Sequence, residues 1–288
     1  MYIGVNPFHL RFTFPCLFMK KLILSAGFLF LFGVVFSQNN AMETFDLQDT
    51  QHLLGTLFDS HFFDSNGDVL WKPVNFSDAV EANLSDDGYL HTSLDTVLYF
   101  TTYSIHHAVV IFATFYYAKG EISACHSCGA QLSVAVFDEA SITGKWQVRQ
   151  FAKHLTTLGS FGDNGNIGLL QFGENQWAMS FDMGWMGQGI YSEYVEFRNV
   201  DDLEKVFNYV VHEDNSGVWG DVNERTYSFD KTIHFLSNNE TKSGWWNFDL
   251  VTRGTRAGEE DEGKSLPDNI VQHYVFDWDT NTYMRACP

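Results

Sequence analysis

The chain is poor in basic residues, in proline and in cysteine. It holds 17 Lys and Arg against 36 Asp and Glu, a formal charge of −19 over 288 residues. A field of that sign repels phosphate, which argues against nucleic acid and anionic lipid as partners. It suits solubility, cations and neutral ligands. Only five prolines stand beside 23 glycines. That balance describes tight turns in a packed fold, not a disordered linker. No Gly-x-Ser-x-Gly, His-Glu-x-x-His or phosphate-loop motif is present. Carboxylates are too numerous for an acid/base pair to be picked out. The spacing that separates retaining from inverting glycosidases is spatial, and no linear sequence displays it.

Long apolar runs are also scarce; one stands out. Met19, Lys20 and Lys21 form a short positive region, and Leu22 to Phe36 follow without a charge. Ser37-Gln38-Asn39-Asn40 breaks the run. That order is the order of a secretory signal. The run is short for a membrane span, which needs about 20 apolar residues. Residues 1–37 therefore read as a signal peptide, with 1–18 as a spurious extension in front of a start at Met19. Residues 38–288 read as a single exported domain, with no stable membrane insertion once the signal is gone. Removal of 1–37 takes away Arg11, Lys20 and Lys21 and no acidic residue, which carries the charge from −19 to −22. It also removes Cys16 and leaves three cysteines: Cys125, Cys128 and Cys287.

Aromatic residues make up 16% of the chain, roughly twice the share in an average domain. Aromatic and β-branched residues favour strands. One helix is expected over Asp49–Phe63, with Asp49 as cap and Leu53, Leu54, Leu57, Phe58 and Phe62 at helical spacing. It should end at the turn Asp64-Ser65-Asn66-Gly67-Asp68. Val97–Tyr103 and Ala108–Tyr117 read as strands. The unbroken Val109-Val110-Ile111-Phe112 predicts burial on both faces. Hairpins are expected for Leu132–Phe137 with Trp146–Phe151, for Ile167–Phe172 with Gln176–Phe181, and for Gln272–Trp278 with Thr282–Met284. Tyr191–Phe197, Tyr227–Leu236 and Trp245–Thr252 add further strands. Val200–His212 reads as a second helix, from Leu203, Val206, Phe207, Val210 and Val211. The fold class is mainly β: an antiparallel meander forming a sandwich, barrel or propeller-like sheet set, with one or two peripheral helices.

Three constellations could carry chemistry. Cys125-His126-Ser127-Cys128 can close a small disulfide in an exported protein or bind a soft metal. Cys287 would complete a zinc set with Cys125, Cys128 and a His such as His126 only if the C-terminus folds back; it could equally pair with either cysteine. The order is not that of c-type haem attachment, and the strand-like flanks do not suit a thioredoxin-like site. Asp64, Asn66 and Asp68 resemble the opening of a calcium loop. An EF-hand requires Gly at position 6 and Glu at position 12, where this chain has Val69 and Asn75; a plain turn is the competing reading. The Gly-rich stretch Phe181–Ile190 carries Trp185, whose indole could stack on a sugar, with Gln188, Asp182 and Glu193 as hydrogen-bonding groups. The competing reading is a glycine turn with Trp185 in the core. His106 and His107 precede a buried strand, point to opposite faces and make poor joint ligands.

Between His107 and about Asn199 the chain resembles a family of uncharacterised exported bacterial β-rich proteins. The resemblance is carried by Ala124-Cys125-His126-Ser127-Cys128-Gly129, Leu158-Gly159-Ser160-Phe161-Gly162, Gly187-Gln188-Gly189, and Glu193-Tyr194. Tyr274-Val275-Phe276-Asp277 with Tyr283 is similar to the closing hairpin of such proteins. The resemblance implies an extracytoplasmic β-rich domain and no particular activity.

The reading that follows is a non-enzymatic binding module of the cell envelope or extracellular space. Its partner would be a small molecule, a glycan or an envelope protein, and its cofactor zinc or calcium. The alternatives are a hydrolase acting on glycans, and a metal or redox site at Cys125, His126 and Cys128.

Overall fold

The computed structural model describes residues 43–72, 89–118, 121–122, 129–141, 144–159, 165–219, 226–240, 244–255 and 270–286. The signal-like stretch and Cys125, His126, Cys128 and Cys287 lie outside these residues. Neither described helix is long and apolar enough to cross a membrane.

Helix α1 (Thr50–Phe58) forms where the apolar spacing places it, and buries Leu53, Leu54 and Phe58. Asp49 caps it, accepting a hydrogen bond from the His52 N–H. It stops earlier than the periodicity suggests. Asp59 adopts a left-handed conformation, φ 53°, and its N–H bonds the Gly55 carbonyl. Phe62 and Phe63 then leave the helix as strand β1 (Phe62–Phe63), which pairs with β2 (Val69–Trp71). Ser60 fixes the exit by donating its hydroxyl to the Leu70 carbonyl at 2.6 Å.

The first sheet continues through β3 (Tyr89–Thr102), β4 (Ile105–Ala118), β6 (Ala130–Glu139) and β7 (Trp146–Leu158). Short β5 (Glu121–Ile122) pairs with the end of β4. All pairings are antiparallel, in the order β1-β2-β3-β4-β6-β7. Strand β4 is buried on both faces. Ala108, Val110 and Phe112 meet α1 and Trp71 on one side; Val109, Ile111 and Ala113 meet the second sheet on the other. A fully buried side chain of this size stabilises by about 1.5–3 kcal/mol, so this strand anchors two cores at once.

The second sheet holds eight strands in chain order: β8 (Asn166–Gln171), β9 (Trp177–Gly187), β10 (Ile190–Asn199), β11 (Lys205–Asp214), β12 (Ser228–Glu240), β13 (Trp246–Gly254), β14 (Ile270–Asp277) and β15 (Thr282–Arg285). A one-turn helix, α2 (Ser216–Trp219), follows β11. The architecture is sandwich-like: Met179 and Phe181 of β9 pack with Val200 and Leu203 against the first sheet. The opposite face of the second sheet carries an aromatic core of Phe172, Phe197, Phe207, Trp245, Phe248, Phe276 and Tyr283. Here the sheet curls on itself. The Trp246 N–H bonds the Phe172 carbonyl at 2.7 Å, and Gly173 bridges to Trp245, which ties the end of β8 to the start of β13.

One expected element is corrected. Val200–His212 is not a helix. Residues 200–204 form a turn, with Leu203 at φ 62°, and β11 follows. Two bulges explain the misreading. The β10–β11 register slips between Glu193 and Tyr194 and again between Phe197 and Arg198. The second slip leaves Val206 beside Phe207 with both buried, so the apolar spacing imitates a helix although the backbone is extended.

Candidate functional site

Among the described residues, a hollow lies on the curled face of the second sheet. Strands β9 and β10 are joined by a two-residue turn, Gln188-Gly189, with φ 52° and 81°. Left-handed φ at both positions is the tight hairpin geometry that suits strand twist. It sets the register: Val195 faces Asp182, and Glu193 faces Gly184. Asp182 and Glu193 are therefore diagonal neighbours on one face, where such pairs stand about 7–8 Å apart. Asn166 on β8 also faces Asp182, Tyr209 on β11 faces Val195, and His212 faces Glu193. All of these but His212 line a cleft of about 610 Å³ whose walls include Ser180, Tyr191 and Phe197. A smaller hollow of about 320 Å³ adjoins it at Tyr191 and reaches His212, Asp214 and Gly217.

The cleft is negative. No Lys or Arg stands among the described residues that line it. Burial pushes the Asp182 carboxyl above its ordinary range, and the nearby Glu193 charge adds to the rise. Tyr209 is pushed up to about 12, first by burial and then by Asp182. Tyr191 donates its hydroxyl to Glu193 Oε1 at 2.6 Å. That bond, with burial and the Glu193 charge, holds the Tyr191 proton more firmly than usual. Acceptors and aromatic faces thus converge without a protein cation among the described lining.

The four residues expected on a sugar-binding surface divide. Asp182 and Glu193 share the cleft. Trp185 stands on the other face of β9, because it lies three residues beyond Asp182 in a strand of period two. Its indole covers Gly187, and it is 59% exposed, so the expectation of a core tryptophan gives way. Gln188 sits exposed in the hairpin turn.

A second group gathers at the first sheet. Asp64 and Asp68 bracket the β1–β2 turn, and His91 lies on β3 opposite Leu70. Asp64 Oδ1 accepts the N–H groups of Asn66 and Asp68 at 2.8 and 3.0 Å. Oδ2 then points at His91 Nε2, 3.1 Å away; Asp68 Oδ2 lies 3.5 Å from the same nitrogen. The three ligand-type atoms fall within 4.8 Å of one another. Asn66 contributes its backbone N–H to the turn; the third member of the cluster is His91. Burial raises Asp64, but hydrogen bonds from His91 and from the Asp68 and Asn66 N–H groups outweigh it and leave the carboxyl below its usual range. Burial raises Asp68, and this exceeds the pull of His91; Asp64 adds to the rise.

His106 and His107 belong to β4 and alternate as expected. His107 turns into the core between the sheets and stacks on Phe100 with ring centres 4.7 Å apart. Thr102 Oγ1 lies 2.7 Å from its Nε2, and Asp138 Oδ1 lies 2.7 Å from its Nδ1. Hydroxyl, imidazole and carboxylate stand in the order of a nucleophilic relay. Neither cleft described above opens on Thr102, and the three groups satisfy a buried imidazole.

Sequence reasoning missed Tyr191, Tyr209, Asn166 and His91. Tyr191 could have been found by centring the hairpin on Gln188-Gly189 and counting rungs outward; Tyr209 and Asn166 lie on the neighbouring strands β11 and β8, whose register that hairpin does not set. His91 had no such signal, since only the β2–β3 pairing brings it to Asp64. Comparison of the chain with protein-family models, curated proteins and solved structures finds no match.

Proposed function

We propose that the chain is an exported binding module whose ligand sits in the cleft of the second sheet, and that this ligand is a small organic molecule bearing a positively charged nitrogen. The observation that carries the reading is the pair Asp182 and Glu193, facing one hollow with no basic side chain among its described lining residues. A ligand cation offsets the burial and the Glu193 repulsion that together raise Asp182, and the Tyr209 and Phe197 rings supply cation–π contact. Export rests on the signal-like order of residues 19–37 and on the resemblance to exported proteins. A divalent ion, zinc or calcium, belongs in this reading with Asp64, Asp68 and His91 on the first sheet.

The test is calorimetric titration of the full chain with a panel of primary and quaternary amines, beside neutral monosaccharides, at neutral pH. Amine binding that weakens in both Asp182→Asn and Glu193→Gln supports the reading. Absence of amine binding, or binding that neither substitution alters, rejects it. Amino-terminal sequencing of the protein recovered outside the cytoplasm checks export.

A second reading, a glycan hydrolase, is favoured by one observation. Asp182 is raised beside Glu193, and carboxyl pairs with unlike environments are what acid/base chemistry uses. A reducing-sugar assay on a glycan panel decides it. Turnover lost in Asp182→Asn supports this second reading, whereas sugar binding without turnover rejects it.

A further inference from the structure

We propose that Asp64, Asp68 and His91 form a binding site for a zinc-class transition-metal ion that selects against calcium, and that the ion staples the β1–β2 turn to strand β3. This rests on the divalent ion assigned above to that cluster and goes further, to its identity and its task.

Geometry is the first argument. Ligand atoms held about 2.1 Å from a tetrahedral zinc ion stand about 3.4 Å from one another. His91 Nε2 lies 3.1 Å from one carboxylate oxygen and 3.5 Å from the other. An ion can enter with small side-chain shifts. Calcium fits poorly. It takes 6–8 oxygens, and the turn has already committed its own: Asp64 Oδ1 holds two backbone N–H groups, the Asp64 carbonyl accepts from Gly67, and the Asp68 carbonyl accepts from Asp64. One imidazole with two carboxylates is a donor set for zinc and its neighbours.

Preorganisation is the second argument. The His91 side chain is 6% exposed, and its ring stacks on Tyr117 at 5.6 Å, so the ligand nitrogen is aimed before an ion arrives. Asp64 is fixed by its two backbone bonds. The carboxylates are not sealed off, with side chains 18% and 23% exposed, so an ion can reach them and solvent can supply the fourth ligand.

The competing arrangement is a plain ion pair between His91 and the two carboxylates. The cysteines at 125 and 128 are a second place for zinc. The experiment therefore titrates the metal-stripped full chain with zinc chloride and with calcium chloride. It compares wild type with Asp68→Asn, His91→Gln and the Cys125→Ser/Cys128→Ser double variant. The expected result is zinc affinity well above calcium affinity. That affinity should fall about tenfold or more in Asp68→Asn and His91→Gln and hold in the cysteine variant. Should a variant fail to fold, cobalt substitution of the wild type reads the donors directly: a spectrum without the thiolate charge-transfer band supports the site, and one with it overturns the site. Calcium binding equal to zinc at these residues overturns the selectivity and leaves the divalent-ion reading standing. Binding of neither ion, or zinc lost only with the cysteines, overturns both.

Discussion

His107 Nδ1 lies 2.7 Å from Asp138 Oδ1, directly across the β4–β6 ladder, with the histidine 3% exposed. A ring nitrogen this deeply buried is poorly solvated once it loses its partner. Asp138→Ala is expected to cost about 1–3 kcal/mol. The matching pair on the second sheet, His212 with Asp230 at 2.9 Å, has its imidazole a quarter exposed. Asp230→Ala should cost less than about 1 kcal/mol, because solvent replaces the carboxylate. Urea unfolding of both variants compares them, and equal losses would contradict the burial argument.

Asp182 gives stability a pH dependence of known sign. Its folded-state carboxyl is raised from the ordinary 3.8, so the folded chain holds the proton more firmly than the unfolded one. The stability this provides is full below 3.8 and is lost as pH rises through the folded value. Asp182→Asn removes the charge and its repulsion with Glu193. The variant should melt higher than wild type at about pH 7 and equally at about pH 3. The gain stays under about 1 kcal/mol, since solvent reaches the carboxylate. Thermal unfolding at the two pH values measures it.

Phe172 holds the curl of the second sheet. Its fully buried ring lies near Phe197, Phe235, Trp245, Phe248 and Tyr283, side chains of four different strands and the turn before β13. Phe172→Ala should cost about 3–5 kcal/mol. Phe62, which is exposed, serves as control: Phe62→Ala should change stability by about 0.5 kcal/mol or less. Chemical denaturation separates the two.

Gly189 is required by both conformation and space. Its φ is +81°, and an added Cβ would stand 2.7 Å from the Gly217 carbonyl carbon. Gly189→Ala is expected to cost about 1–2 kcal/mol for the left-handed conformation alone. Because the turn sets the register of Asp182 and Glu193, amine affinity should weaken with it. Melting temperature and calorimetry together check this.

The strands were legible because their pattern is local. Val109–Phe112 announced a strand buried twice over, and the hairpin pairs announced the meander. Val200–His212 misled because two bulges give an extended segment the spacing of a helix. Asp182 and Glu193 were legible as polar groups near a turn, and Trp185 was grouped with them because sequence proximity hides the alternation of faces. His91 was illegible for a different reason. It lies 27 residues from Asp64, and that contact exists only because β2 pairs with β3.

Every strand of the second sheet hydrogen-bonds to the strand that precedes or follows it in the chain. Pairing of that kind joins neighbours in sequence and keeps contact order low for an all-β architecture. The sheet can therefore zip forward from β8, each completed hairpin offering a template edge to the next segment. The tie from Phe172 to Trp246 joins positions 74 residues apart and is expected to close last. Substitutions at that tie should then speed unfolding while leaving the refolding rate nearly unchanged.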